Sequence, residues 1–262
     1  MTIIVRAAES THWYRGNDGQ PQYTVKAKDG SDRPTTLRDA RKLNLVPSVT
    51  TILKVAAKPG LDVWKNEQLL LAALTLPRVE NETEKEFIAR VVADSKATAK
   101  AAAERGTRVH ESIELWYGGM RPVEHNDIAE GFEEAVLQHF KTHPFQKWET
   151  EVSFAHHLGF GGKTDLFTRP DESAPLGIML DAKTKEFGPD DEVPAYDEHL
   201  MQLAAYRIGV GMPNARCANV FASVSNPGLV KVKEWSEEEL QRGWLMFQAL
   251  LSFWQLKNKF GV

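Results

Sequence analysis

The hydrophobic pattern changes its period near residue 148, and that change limits the folds open to the chain. Before it, apolar residues recur at helical spacing. One amphipathic stretch covers about Asp62 to Leu74. A longer one, rich in Ala, Glu, Lys and Arg, runs from Glu82 to Trp116, and Gly106 is its weak point, where it divides if it is two helices. A third, Asp127 to Thr142, turns Phe132, Val136, Leu137 and Phe140 inward. After the change, Trp148, Val152 and Phe154 alternate with Glu149, Glu151 and Ser153, as a strand requires. Gly159-Phe-Gly-Gly162 turns the chain into a second strand, Lys163 to Thr168, and a third covers Gly177 to Thr184. A helix from Asp197 to Val210, strands from Arg216 to Ser223 and Leu229 to Glu234, and a last helix capped by Ser236 and Glu239 complete the series. Helices interleaved with strands in this order predict an α/β fold.

The first sixty residues are less regular. Asn17-Asp18-Gly19, between Trp13-Tyr14 and Tyr23-Thr24-Val25, predicts a hairpin, and Ser48 caps a short helix through Val55. Residues 1–60 therefore read as a β/helical extension lobe and 61–262 as the main body. With 262 residues, 42% hydrophobic and 26% charged, one core is workable, so the chain is expected to be a single domain. The apolar run Leu69 to Leu76 is far short of the roughly 20 residues that span a bilayer, which argues against a membrane partner. The start, Met1-Thr-Ile-Ile-Val-Arg6, lacks the charge and apolar run of a secretory leader, so a cytoplasmic location is expected. Cys217 is the single cysteine; an intrachain disulfide, a Cys-rich zinc site and a four-cysteine iron–sulfur cluster are excluded. A net charge of −4 argues against wholesale coating of nucleic acid. A local basic groove stays open, because counterion release depends on the phosphates contacted and not on the chain's total charge.

The strand at Gly177 to Thr184 carries the first chemical signal. Ile178, Leu180 and Ala182 share one face; Met179, Asp181 and Lys183 share the other, so a carboxylate and an ammonium project together. Asp165, on the preceding strand, is within reach of that face. An isolated Asp-x-Lys is most often a solvated strand face, but here it has neighbours. Gly106-Thr-Arg-Val-His110 lies on a helix, Gly162-Lys-Thr-Asp165 follows a turn, and Gln202-Leu-Ala-Ala-Tyr206 lies on the next helix. His156 and His157, adjacent on a strand, are expected on opposite faces.

In their order and settings these four elements resemble the RecB-like branch of the PD-(D/E)XK nuclease superfamily, whose pattern is Gly-x-x-x-His, Gly-x-x-Asp, Asp/Glu-x-Lys and Gln-x-x-x-Tyr. The match extends from about Gly106 to Tyr206, and Pro47-Ser-Val-Thr50 is similar to the stand-alone exonucleases of phage and mitochondrial genome maintenance. The family's leading proline is replaced by Thr164, and no Gly-x-x-x-x-Gly-Lys-Ser/Thr loop is present for a helicase motor. The resemblance implies a restriction-endonuclease-like core, a mixed β-sheet flanked by helices. It also implies a Mg²⁺- or Mn²⁺-dependent DNA exonuclease, without an iron–sulfur cluster, acting on single-stranded DNA with a free end. A bacterial or phage-infected cell, with replication or recombination proteins as partners, goes with that reading.

Phosphodiester hydrolysis needs an activated water and a means to neutralise charge on the transition state. The resemblance assigns Asp165, Asp181 and the Ala182 carbonyl as oxygen ligands, His110 as a nitrogen ligand, and Lys183 to the water and the developing charge. Gln202 and Tyr206, one turn apart, would position the metal site and a DNA phosphate or base. Glu151 is a second-tier ligand candidate, equally explained as a wet sheet face. His110 with Glu114 four residues on is equally an exposed ion pair, and Gln202 and Tyr206 are equally interface residues. Arg105, Arg108, Lys163 and Lys185, with Lys96 and Lys100, would line a phosphate track, although Lys and Arg on an Ala-rich helix usually mark a solvated face. Trp13, Tyr14, Trp64 and Trp116 are candidate base-stacking groups, most of them better explained as core. A structure-specific or restriction-like endonuclease and an inactive nucleic-acid-binding scaffold are the competing readings.

Overall fold

The structure, a computed structural model, describes residues 12–56, 59–143 and 146–261. The Met1–Arg6 segment, on which the location expectation rests, lies outside them. The N-terminal lobe consists of β1 (Trp13–Arg15), β2 (Thr24–Lys26), β3 (Asp32–Pro34), α1 (Leu37–Leu43), β4 (Leu45–Pro47) and α2 (Val49–Leu53). Its pairing goes beyond the expected hairpin. β1 pairs with β4 and β2 with β3, while the two sides of the Asn17-Asp18-Gly19 turn are joined by the Tyr14–Pro21 bridge, by the Arg15 N–H donating to the Gln20 carbonyl and the Gln22 N–H to the Trp13 carbonyl, both at 2.8 Å, and by the Tyr14 and Tyr23 hydroxyls 3.0 Å apart. Pro21 has no N–H to continue a ladder, whereas Leu45–Pro47 lets Trp13 and Leu45 be buried together. Helix α1, absent from the sequence reading, starts on a Thr36–Asp39 capping box and ends on Asn44 in the left-handed region at φ 52°. Helix α2 is capped as expected, the Ser48 Oγ accepting from the Thr51 N–H at 3.0 Å.

Helix α3 (Pro59–Thr75) lies against α4 (Glu84–Tyr117), and α5 (Asn126–Phe140) follows. Helix α4 runs unbroken through Gly106. A Cβ there would sit 3.1 Å from the Thr184 hydroxyl, so the glycine serves close approach of α4 to the sheet and not a break. Next come β5 (Glu149–Thr150), β6 (Ser153–His156), β7 (Phe160–Lys163), β8 (Leu166–Thr168) and β9 (Ile178–Lys185). The two strands expected between residues 148 and 168 are thus each divided. The register is continuous across the division, with Ser153 opposite Lys163 and Thr150 opposite Leu166. Glu151 sits between at φ 55°, a left-handed conformation that bends the hairpin without slipping it. His157 lies beyond the end of β6, where the two-residue alternation stops. Its ring is 4.1 Å from that of His156, which corrects the expectation of opposite faces.

Helix α6 (Asp197–Gly209) crosses from β9 to the parallel strand β10 (Arg216–Ser223), then β11 (Val230–Trp235) and α7 (Glu237–Asn258) close the chain. The result is a mixed five-stranded sheet in the order β11-β10-β9-β8-β5, with only β9 and β10 parallel. Helices cover both faces, giving a mixed α/β architecture. On one side, Val109, Ile113, Phe132 and Val136 of α4 and α5 pack on Leu180, Ala182, Val220 and Ala222. On the other, α6 and α7 join the N-terminal lobe in one cluster that includes Trp13, Ile52, Leu203, Phe247 and Trp254. Among the described residues, no helix is long and apolar enough to cross a membrane.

Candidate active site

Strand β9 is the spine of the site. Its parallel register with β10 sets Met179 beside Cys217, Asp181 beside Asn219 and Lys183 beside Phe221, all on the face turned toward α6. Asp181 is only 1% exposed. Its Oδ2 accepts from the Lys183 Nζ at 2.6 Å and from the Asn219 Nδ2 at 2.7 Å, while its buried Oδ1 has no hydrogen-bond partner. Burial raises the Asp181 carboxyl above its ordinary value and the neighbouring Asp165 charge adds to this, with Lys183 opposing. Burial pulls the Lys183 ammonium down, but Asp181 and Asp165 outweigh it and its value is raised. Two carboxylates around one ammonium hold the proton on Lys183, whose side chain keeps 26% exposure.

The polar chain extends in both directions from this pair. Lys183 reaches the Gln202 Oε1 at 3.4 Å, and the Gln202 Nε2 donates to the Tyr206 hydroxyl at 3.1 Å. Gln202 and Tyr206 share one face of α6, as their spacing requires. Tyr206 is buried against Phe154 and Gly162, its ionisation pushed up by burial and by the two aspartates, so its hydroxyl lies inside the core. In the other direction, the Trp235 indole donates to the Asn219 Oδ1 at 2.7 Å. Asn219 and Trp235 escaped the sequence reading. One signal for Asn219 was available: it is a lone amide in the apolar run Cys217-Ala-Asn-Val-Phe221.

Asp165 follows β7 and sits one residue before β8, opposite the bent Glu151, whose N–H donates to the Asp165 carbonyl at 3.1 Å. The Asp165 Oδ2 accepts from the Ala182 N–H at 2.9 Å and lies 3.7 Å from the His110 Nδ1. His110 comes from α4, where Gly106 permits the close approach to β9. Asp165, rather than Glu114, is the carboxylate His110 meets. A small cavity of about 10 Å³ is walled by His110, Glu114, Glu151, Asp165 and Ala182 and floored by Ile113, Phe132 and Leu166. That is roughly the room one water or small cation takes. Glu151 also forms an ion pair with Lys163.

Among the described residues, no three of His, Cys, Asp and Glu converge as a ready-made cation cage. Asp165 links the two parts of the site: its Oδ2 meets His110 in the cavity, and its charge reaches Asp181 and Lys183. The donor chemistry nevertheless fits a hard divalent ion, since Asp181 offers a buried oxygen with no partner and Asp165 a second carboxylate beside an imidazole. Cys217, buried, has its thiol pushed up to about 12.

Of the candidate phosphate-track cations, Arg105, Arg108, Lys163, Lys185 and Lys100 each have a partner within the chain. Arg105 pairs with Glu186 at 2.8 Å and Arg108 with Glu124 at 3.7 Å. Lys163 pairs with Glu151, and Lys185 donates to the Pro194 carbonyl at 2.8 Å beneath the Tyr196 ring. Lys96 is exposed on α4, and Lys100 meets Glu104 at 3.9 Å. Of the aromatics, Trp13 and Tyr14 are buried, Trp116 donates to Glu133, and Trp64 is half-buried.

No family model matches the chain, and no curated protein matches it. Among solved structures, one titled "Crystal structure of SSO0001" is similar over 74% of this chain and 87% of that one, at 16% identity and a TM-score of 0.31.

Proposed function

We propose that the chain is a divalent-metal-dependent deoxyribonuclease with a restriction-endonuclease-like core of the RecB-like type. In this reading it is an exonuclease that favours single-stranded DNA with a free end. The observation that carries the reading is the Asp181–Lys183 pair, 2.6 Å apart on the central strand, with Asp165 close enough to perturb both. A buried carboxylate with one oxygen unpartnered is costly for a fold to keep without a ligand. In the proposed mechanism, Asp165, Asp181 and His110 would hold Mg²⁺ or Mn²⁺, with the Ala182 carbonyl as a further oxygen donor. When bound, such an ion supplies Lewis acidity at phosphate and an acidified water. The Lys183 ammonium would orient the attacking water and donate to the phosphate oxygens as negative charge builds there, while the water, acidified by the ion, would give its proton to solvent. Gln202, bonded to both Lys183 and Tyr206, holds the ammonium in that direction.

Incubation with Mg²⁺ and three end-labelled substrates tests the reading: linear single-stranded DNA, a covalently closed circle of the same sequence, and a blunt duplex. The linear strand should be degraded from an end and the circle spared. Rapid cutting of the circle would replace the exonuclease with an endonuclease, and preference for the duplex would remove the single-strand element. No cleavage of any of them would leave the inactive scaffold. Binding should weaken with salt at a log–log slope of roughly −0.7 per phosphate neutralised.

A further inference from the structure

We propose that Asn219, itself oriented by the Trp235 indole, is a positioning residue that fixes the Asp181 carboxyl so that Oδ2 takes every protein donor and Oδ1 is left to accept from a cation. This rests on the metal-dependent reading above. An indole N–H can only donate and a carboxylate can only accept. The Asn219 amide lies between the two, with Trp235 Nε1 2.7 Å from its Oδ1 and Asp181 Oδ2 2.7 Å from its Nδ2. Only one orientation of the amide satisfies both, and the other sets like against like on each side. Asn219 is fully buried, so no solvent competes for either bond. The parallel register places it directly beside Asp181 on the same face. Lys183 donates to the same Oδ2, and with both donors on one oxygen the carboxyl cannot turn without breaking two bonds. The consequence is the unpartnered buried Oδ1.

Mn²⁺ alone is the probe, titrated calorimetrically into the full-length protein without DNA. Asn219→Leu keeps the branched shape and removes the amide, and it should weaken Mn²⁺ binding by about tenfold or more, as loss of a residue orienting a ligand does. Trp235→Phe keeps a ring and removes the donor that sets the amide, so it should weaken binding in the same direction by less. Because Trp235 acts only through Asn219, the double variant should bind no more weakly than Asn219→Leu. Far-UV circular dichroism identifies the folded variants, and Trp235→Phe carries the test if Asn219→Leu does not fold. Unchanged Mn²⁺ affinity in the folded single variants, or additive losses in the double, would overturn the proposal while the metal site stands. Wild-type protein that binds no Mn²⁺ would overturn the metal site and this inference together.

Discussion

The two faces of the β9–β10 pair are built from the same strands, in the same register, and are both buried, yet they differ in kind. Toward α4 and α5 they present Ile178, Leu180, Ala182, Ala218, Val220 and Ala222, all apolar. Toward α6 they present Met179, Asp181 and Lys183 beside Cys217, Asn219 and Phe221. The first face obeys the rule for a strand covered on both sides, a continuous apolar surface. The second breaks it at the centre of the sheet, where a buried charge is most expensive and a pair can cost as much as it returns. The apolar face therefore contributes stability, and the polar face carries the buried groups on which the proposed chemistry rests. Substitutions on the two faces should separate the two properties.

The largest separation is expected from Asp181→Ala: cleavage should fall by on the order of a thousandfold or more and Mn²⁺ binding should be lost, with the circular dichroism spectrum retained. Normal turnover in that variant would erase the functional distinction between the faces. Lys183→Ala should lose about 10²- to 10³-fold in kcat while retaining Mn²⁺ affinity, because the ammonium acts on the transition state. Equal loss of Mn²⁺ affinity would make Lys183 part of the ligand set's support instead. On the apolar face, Leu180→Ala should cost about 2–5 kcal/mol in urea unfolding and leave kcat per folded molecule unchanged. A kcat defect there would mean that the faces are coupled. His110→Ala, on the helix over the apolar face but aimed at Asp165, should change the ratio of Mg²⁺- to Mn²⁺-supported rates by about tenfold. An unaltered ratio would return His110 to a structural role.

The smallest effect is a pH dependence confined to the polar side. Cys217 has a folded-state value of about 12, raised above its ordinary 9.0 by burial. A raised value means that the folded protein keeps a proton the unfolded chain gives up. The associated stability is complete below pH 9 and is lost as pH rises toward 12, at up to about 1.4 kcal/mol per pH unit from this group. Between pH 9 and 10, before the buried tyrosines enter, Cys217→Ala should show a shallower decline than the wild type in unfolding free energy. Parallel declines would show that the thiol ionises equally in both states.

Local pattern determined much of this protein. The α/β class, the helices after residue 59, the Ser48 and Ser236 caps and the alternation that sends Asp181 and Lys183 to one face all depend on neighbours within a turn or a strand, so they are legible along the chain. The gathering of Asp165 near Asp181, and of Gln202 and Tyr206 behind Lys183, was foreshadowed by the order of short motifs. Contacts between distant segments were decided only in three dimensions. β1 gained β4 as a partner beyond the nearer turn-side contacts, burying Trp13 with Leu45. Glu151 entered the cavity through a left-handed bend that an alternating sequence conceals. Gly106 looked like a helix breaker and became a point of close approach, because the strand that needs the space lies far away in sequence. The acidic partners of the basic residues, Glu186, Glu124 and Glu151, were supplied only by the packing of other segments. The amide of Asn219 acquired a direction only when folding set an indole donor on one side of it and a carboxylate on the other. A side chain's conformational preference is encoded next to it, but its hydrogen-bond partners are fixed by which elements pack together.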